Sequence, residues 1–410
     1  MGKNPFDFDY LAKKLDEMIT VKDNKKISFN DAFLVNDLVS ILESAYDFEI
    51  SIPDSQKQFI INEGIKKFAF MTKRNGKQLK TQIRKSEKEF LQKPFQKYSV
   101  LSSFSFPYFN KLSNIKLLDG TVTFYHNSYP SKYNLSKIYQ DFKSHSESIP
   151  PHGYVPIKVD VNARNNQEAI DKGLGLSDLL RGIWNYSINN KESARIYYGI
   201  KKPINIIRLG PTHTLHLSNG KLANENFWYE LNYVEASSTW EVENKWTQIS
   251  EEFSWIRKAI IKLPYKKEFY DVFIRYAKAL DASDYETSYL KLWSLLEYLT
   301  GTLKNFSNYD KTISRALFFY NDDKLSKQII EHLRRFRNKI VHYGKSKDEM
   351  DPILFQIKRI VETIMWFHLK FTGKFKSLEE FGNFLDITKN KDTIAQEIKL
   401  RKQALKFLYK

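Results

Sequence analysis

The sequence predicts an α+β, multidomain chain: a mixed helical and β-containing N-terminal region followed by an all-α helical bundle. Three observations carry this. From about Trp246 onward, apolar residues recur at helical spacing in segments near 249–262, 266–280, 284–301, 308–320, 324–343, 349–372 and 388–408. Short turns at Pro264, Gly301, Asn321-Asp322-Asp323 and Gly344-Lys345 separate them. Between Tyr98 and Val234, aromatic and β-branched runs alternate with turn residues. Finally, 410 residues of which 42% are hydrophobic suffice for two or three domains with cores of their own.

Taken in order, residues 9–90 read as helical. Leu11, Leu15 and Met18 keep helical spacing, then Phe33, Leu34, Leu38, Ile41 and Leu42 do the same, with Ser28 and Asn30 as caps. Phe59, Ile60, Ile65, Phe68 and Phe70, set among many Lys and Gln over 54–92, predict one long amphipathic helix with a basic outer face. The texture changes around Pro94. Strands are expected over 98–125, with Asp119-Gly120 as a hairpin turn, and over 154–161. A helix over 167–189 follows, then strands over 196–234 with a turn at Ser218-Asn219-Gly220. The expected division is a helical segment 1–95, a mixed α/β recognition or sensor region 96–245, and a helical domain 246–410.

Composition removes whole classes of chemistry. With no cysteine, disulfides, thiolate nucleophiles and iron–sulfur clusters are excluded. No HExxH or aspartate-loop pattern offers a metal site among the eight histidines, so no metal and no cofactor are expected. No P-loop is present, and Gly173-Leu174-Gly175 lacks the last glycine of a dinucleotide loop. The most apolar stretch, 360–371, is broken by Glu362 and His368, so no membrane association is expected and a cytoplasmic location is the default.

The net charge is +17, of which residues 246–410 hold +10. Within them Lys324, Lys327, Arg334, Arg335, Arg337, Lys339, Lys345 and Lys347 face only Glu331. Such a concentration points to a polyanion. On an ideal helix Leu333, Phe336 and Ile340 form one apolar face, and His342 lies about 180° from Leu333, flanked by Asn338 and Arg335. Histidine exchanges protons near neutral pH, and arginine presents a charged fork that matches phosphate oxygens. Together they are what metal-free RNA cleavage needs: a proton-transfer group and a cation for the charged phosphorane. Arg337 and His342 lie about 140° apart on a straight helix; a helix ending at Gly344 would let the last turn relax toward convergence.

Arg337-x4-His342, with Asn338 after the arginine, resembles the R-x4-6-H signature of the HEPN superfamily of helical ribonucleases. Leu292-Trp293-Ser294-Leu295-Leu296-Glu297-Tyr298-Leu299 resembles the LW-x-x-LE-x-L helix of Apea-like HEPN domains. Tyr276-Ala277-Lys278-Ala279-Leu280 and Val341-His342-Tyr343-Gly344 are similar to the flanking elements, so the likeness spans roughly 246–375. The resemblance implies a metal-independent endoribonuclease that leaves 2′,3′-cyclic phosphates, dimeric, with both motifs in one cleft and a role in antiviral defence. It would make His342 the general acid/base, Arg337 the phosphate-stabilising cation, Asn338 an orienting partner, and Glu297 the carboxylate that fixes Arg337 or His342. Arg334, Arg335, Lys339 and Lys345 would contact RNA. Implied partners are tRNA, rRNA or mRNA, a second copy, and a phage-derived trigger or an operon-encoded protein.

Blander readings stand beside these. Glu297 is also placed to pair with Arg315, Trp293 reads as core, and the basic residues as a solvated face. The competing function is a catalytically inactive HEPN-like module for dimerisation and RNA or protein binding. His213 and His216, three apart on a strand, point to opposite faces and are expected at the surface or in a hairpin rather than on a shared metal.

Overall fold

The computed structural model describes residues 6–21, 26–49, 52–118, 120–145, 151–189, 203–231, 233–235, 241–302, 309–320, 323–343 and 350–408. It is mixed, with a sheet in the N-terminal half and a helical C-terminal region. The chain opens with α1 (Phe8–Met18), a small ribbon of β1 (Ile19–Val21) and β2 (Ile27–Phe29), and α2 (Ala32–Ala45). Two further helices follow, α3 (Asp54–Ala69) and α4 (Gly76–Gln92), where the sequence predicts one. The break has a local cause. Asn75 caps α4 by accepting from the Gln78 N–H at 3.0 Å, while Arg74 turns back to Asp16 and to the Ala69 carbonyl, the latter at 2.6 Å. The true cap of α2 is Asp31, because Ser28 is still paired to β1.

Six strands form an antiparallel sheet: β3 (Gln96–Phe104), β4 (Ile115–Leu117), β5 (Gly120–Phe124), β6 (Val155–Ala163), β7 (Thr212–Leu217) and β8 (Trp228–Tyr229), in the order β4-β5-β6-β3-β7-β8. Strand β3 is central, pairing with β6 from Gln96↔Ala163 to Phe104↔Val155 and with β7 from Tyr98↔Leu217 to Leu101↔Thr214. Gly120 opens β5 opposite Leu117, so the hairpin turn lies one residue earlier than expected; Asp119 itself lies outside the described residues. The turn at Gly220 is as read, with the glycine at φ +91°. The short α5 (Lys137–Ser144) lies in the β5–β6 connection.

Helix α6 (Asn166–Asn189) is the spine of the molecule. One side packs on β3, β5, β6 and β7, the other on α8 (Trp246–Lys262) and α9 (Lys266–Leu280). Its glycines permit that double approach. A Cβ at Gly173 would lie 2.4 Å from Val100 Cγ2 of the sheet, and one at Gly182 would lie 2.4 Å from the Phe273 carbonyl oxygen of α9. The remaining helices are α7 (Glu241–Asn244), α10 (Tyr285–Leu299), α11 (Tyr309–Leu317), α12 (Asp323–Tyr343), α13 (Met350–Lys370), α14 (Leu378–Leu385) and α15 (Lys391–Leu408). Helix α14 was not expected. It starts at a Ser377 cap that accepts from the Glu380 N–H at 3.0 Å, and it buries Phe381 and Leu385. No residue of α15 is buried. One apolar core runs from Tyr98 to Leu385 without a break at residue 246, and the four N-terminal helices keep a second, from Phe8 to Phe90.

Candidate functional site

Helix α12 buries the predicted stripe. Ile330, Leu333, Phe336 and Ile340 face the core, while Arg335, Lys339 and His342 are exposed. Helix α10 fixes it from beneath: the Tyr289 hydroxyl donates to the Leu333 carbonyl at 2.5 Å, and the Tyr289 and Phe336 rings meet edge-on at 5.4 Å. Because the helix persists through Tyr343, its final turn does not relax. Arg337 and His342 keep the roughly 140° separation of an ideal helix. Gly344 and Lys345 lie outside the described residues.

Arg337 sits at the edge of the apolar stripe and is half-buried. Its guanidinium lies 4.9 Å from the centre of the Tyr309 ring, and Nη1 donates a long bond of 3.4 Å to Asn338 Oδ1. Its Nε is shielded from solvent and has no hydrogen-bond partner among the described residues. Glu297, on α10, accepts from the Trp293 indole N–H at 3.0 Å. Burial raises its carboxyl above the ordinary value, while the Trp293 bond and the charge of Arg337 pull it down. Glu297 therefore lies within the field of Arg337. Arg315, the alternative partner, is committed elsewhere: Nε and Nη2 hold Asp386 at 2.8 and 2.7 Å, and Nη1 donates to the Thr300 carbonyl at 2.6 Å.

The structure thus gathers Arg337, Asn338 and Glu297, and adds Tyr309, which the sequence reading missed. The only sequence signal for Tyr309 is an aromatic at the start of the helix preceding α12. His342 is not gathered with them; among the described residues no hydrogen bond joins it to Arg337, Asn338 or Glu297. Arg334 pairs with Glu331 at 2.8 Å and with Asp310 at 3.6 Å. Such half-exposed pairs are weak and easily exchanged for another anion. Arg337 and three further cations, Arg334, Arg335 and Lys339, lie along one helix and can hold phosphate oxygens. The exposed imidazole of His342, which can exchange protons, lies on a different side of that helix from Arg337.

The two β7 histidines do occupy opposite faces, but neither is at the surface. His213 is bonded to Ser102 Oγ at 2.8 Å, and burial, reinforced by Arg181, pushes its pKa down to about 3. His216 lies against the Gly220 carbonyl at 3.1 Å and the Tyr133 ring. They are buried because β7 lies next to the central strand and is covered on both faces. Among the described residues, no group of three or more His, Asp or Glu side chains is placed to hold a metal ion. Among the described residues, no helix is long and apolar enough to cross a membrane. Comparison of the chain with protein-family models, with curated proteins and with solved structures finds no match in any of the three.

Proposed function

We propose that this chain is a metal-independent endoribonuclease of the HEPN type, with its site built from Arg337 and His342 of α12. The carrying observation is Arg337: a guanidinium seated on an aromatic ring, within the field of a carboxylate, with a nitrogen left unbonded among the described residues. In this reading Arg337 binds the scissile phosphate and stabilises the charge of the phosphorane. His342 takes the 2′-hydroxyl proton as the 2′-oxygen attacks phosphorus, and the imidazolium returns that proton to the 5′-oxygen as the P–O5′ bond breaks, so that a 2′,3′-cyclic phosphate and a 5′-hydroxyl remain. Asn338 and Glu297 position Arg337, while Arg334, Arg335 and Lys339 follow the backbone phosphates. The divergence of Arg337 and His342 along one helix favours a site completed by a second copy, with each chain's histidine beside the other's arginine. An antiviral role, acting on tRNA, rRNA or mRNA under the control of a phage-derived trigger or an operon-encoded partner, belongs to the same proposal.

Full-length protein incubated with total RNA in EDTA, beside His342→Ala, tests it. Cleavage that leaves cyclic phosphates and vanishes in the variant is expected; cleavage that survives the substitution rejects His342. The lack of a hydrogen-bonded partner for His342 among the described residues favours a second reading, a non-catalytic RNA-binding module. There, RNA retention depends on Arg334 and Arg335, and His342 is irrelevant.

A further inference from the structure

Where the β7–β8 edge of the sheet meets the corner between α9 and α10, the surface opens into a cleft of about 690 Å3, within the size range of small-molecule sites. Two buried arginines form its floor, and they differ in how well they are matched. Arg181 is the better matched: its Nε and Nη2 donate to Asp178 Oδ1 at 2.8 and 2.6 Å, and Nη1, which has no hydrogen-bond partner among the described residues, still forms an ion pair with Asp281. Arg208 is only 7% exposed and is not satisfied. Its Nη2 reaches the Asp281 carbonyl at 3.3 Å. Its Nε stands 3.6 Å from Asp281 Oδ1, which already accepts from Asn205 at 2.7 Å. Its Nη1 is shielded from solvent with no hydrogen-bond partner among the described residues.

A buried guanidinium nitrogen without an acceptor is costly, and one that persists in a native structure calls for an explanation, of which a bound ligand, ion or water is one. Two further cations stand at the mouth. Lys278 and Lys291 are exposed, and Lys291 Nζ donates to the Lys278 carbonyl at 3.4 Å, which holds the two side by side. The lining also holds apolar and aromatic side chains: Tyr229, the 85% exposed Leu231, and Tyr233, whose ring centre lies 4.9 Å from the Arg208 guanidinium. Glu230 and Asp284 lie on the rim, where a carboxylate repels phosphate but accepts from sugar hydroxyls. The cleft therefore presents three chemistries in one volume: a cationic end, apolar and aromatic side chains, and peripheral acceptors.

We propose that this cleft binds a nucleotide, its phosphate held by Arg208, Lys278 and Lys291 and its base laid against Tyr229 and Leu231. The site is separate from α12 and does not depend on the function proposed there. Its residues come from β8 and the loop before β7 on one side and from α9 and α10 on the other.

Titration calorimetry on the full chain tests the assignment, with AMP and ATP as probes and adenosine and inorganic phosphate as controls. AMP or ATP is expected to bind below about 1 mM, with each control weaker by about tenfold or more. The double variant Lys278→Glu, Lys291→Glu is expected to weaken nucleotide binding by about tenfold or more. Because Lys278 Nζ also stands 3.6 Å from the buried Asp178, Lys291→Glu alone, whose ammonium is in solvent, is the variant expected to weaken binding at an unchanged melting temperature. That variant guards against Arg208→Gln, which is expected to abolish binding but also removes a buried ion pair. Absence of binding by both nucleotides up to about 1 mM overturns the proposal. So does adenosine binding as tightly as AMP, or nucleotide binding that survives the double charge reversal.

Discussion

Arginine does opposite work in the two places where it gathers. At the seam between sheet and helices, Arg181 and Arg208 are buried and share the carboxylates of Asp178 and Asp281, with Lys278 Nζ 3.6 Å from Asp178. On α12, Arg335 and Lys339 stand in solvent, and Arg334 leans on two half-exposed or exposed carboxylates. A desolvated charge has to be matched inside the fold, so the seam arginines tie two layers together through their ion pairs, although three of their nitrogens have no hydrogen-bond partner among the described residues. A solvated charge makes only weak pairs that exchange at little cost, so the α12 cations are the ones that could take up an anion from outside, as the proposed function requires. Burial, more than residue type, separates a structural arginine from one that is free to act.

The largest effect that would sharpen this contrast is at His342. Replacing it by alanine is expected to lower RNA cleavage by about 10²–10⁴-fold while thermal stability and RNA retention stay unchanged, as cleavage assays, melting curves and gel shifts would show. Stability falling along with activity would mean that α12 is structural after all. At the seam the order is reversed. Asp281→Ala leaves two buried guanidinium groups short of their shared carboxylate, and a loss of about 3–5 kcal/mol is expected in urea denaturation. A loss below about 1 kcal/mol would remove the seam's claim to hold the layers together.

Acid should lower the stability of the fold through its buried histidines. His213 and His368 are both pushed down to about 3 by burial, so each is neutral in the folded chain but binds a proton on unfolding below pH 6.5. Their folded pKa lies below the unfolded one, so the stability they contribute is whole above pH 6.5 and is lost as pH falls toward 3. The expected slope is about 1.4 kcal/mol per pH unit for each histidine. Urea midpoints at pH 7, 6 and 5, compared with His213→Gln, would check it; an unaltered slope in the variant counts against His213. The smallest effect is at Arg334. Alanine there is expected to cost less than about 1 kcal/mol of stability, and to reduce the salt dependence of RNA binding by about one unit of slope.

Much of this was legible from residue order alone. The stripe of Leu333, Phe336 and Ile340 buried as its spacing demands, because helical periodicity is a property of the backbone and needs no partner to be read. The Trp293–Glu297 bond follows the same rule, since residues four apart face each other on one helix. Where local chemistry was misjudged, the competing signal was also local. The Asn75 cap cut a helix that hydrophobic spacing alone would have run through, and Ser377 started one that went unnoticed. Gly173 and Gly182, by contrast, carried no readable meaning in the sequence; they are glycines because β3 and α9 press on the same helix from two sides.

The sequence by itself determined the elements, their apolar faces, the absence of thiol chemistry and the excess of cations on α12, for all of these follow from local geometry and composition. Only the tertiary structure decided that His213 and His216 are buried, that Arg337 rests on Tyr309 within the field of Glu297, and that Arg208 keeps an unmatched nitrogen at the edge of a cleft. Each of those depends on which distant segments exclude water from a side chain, and desolvation is a property of the packed whole.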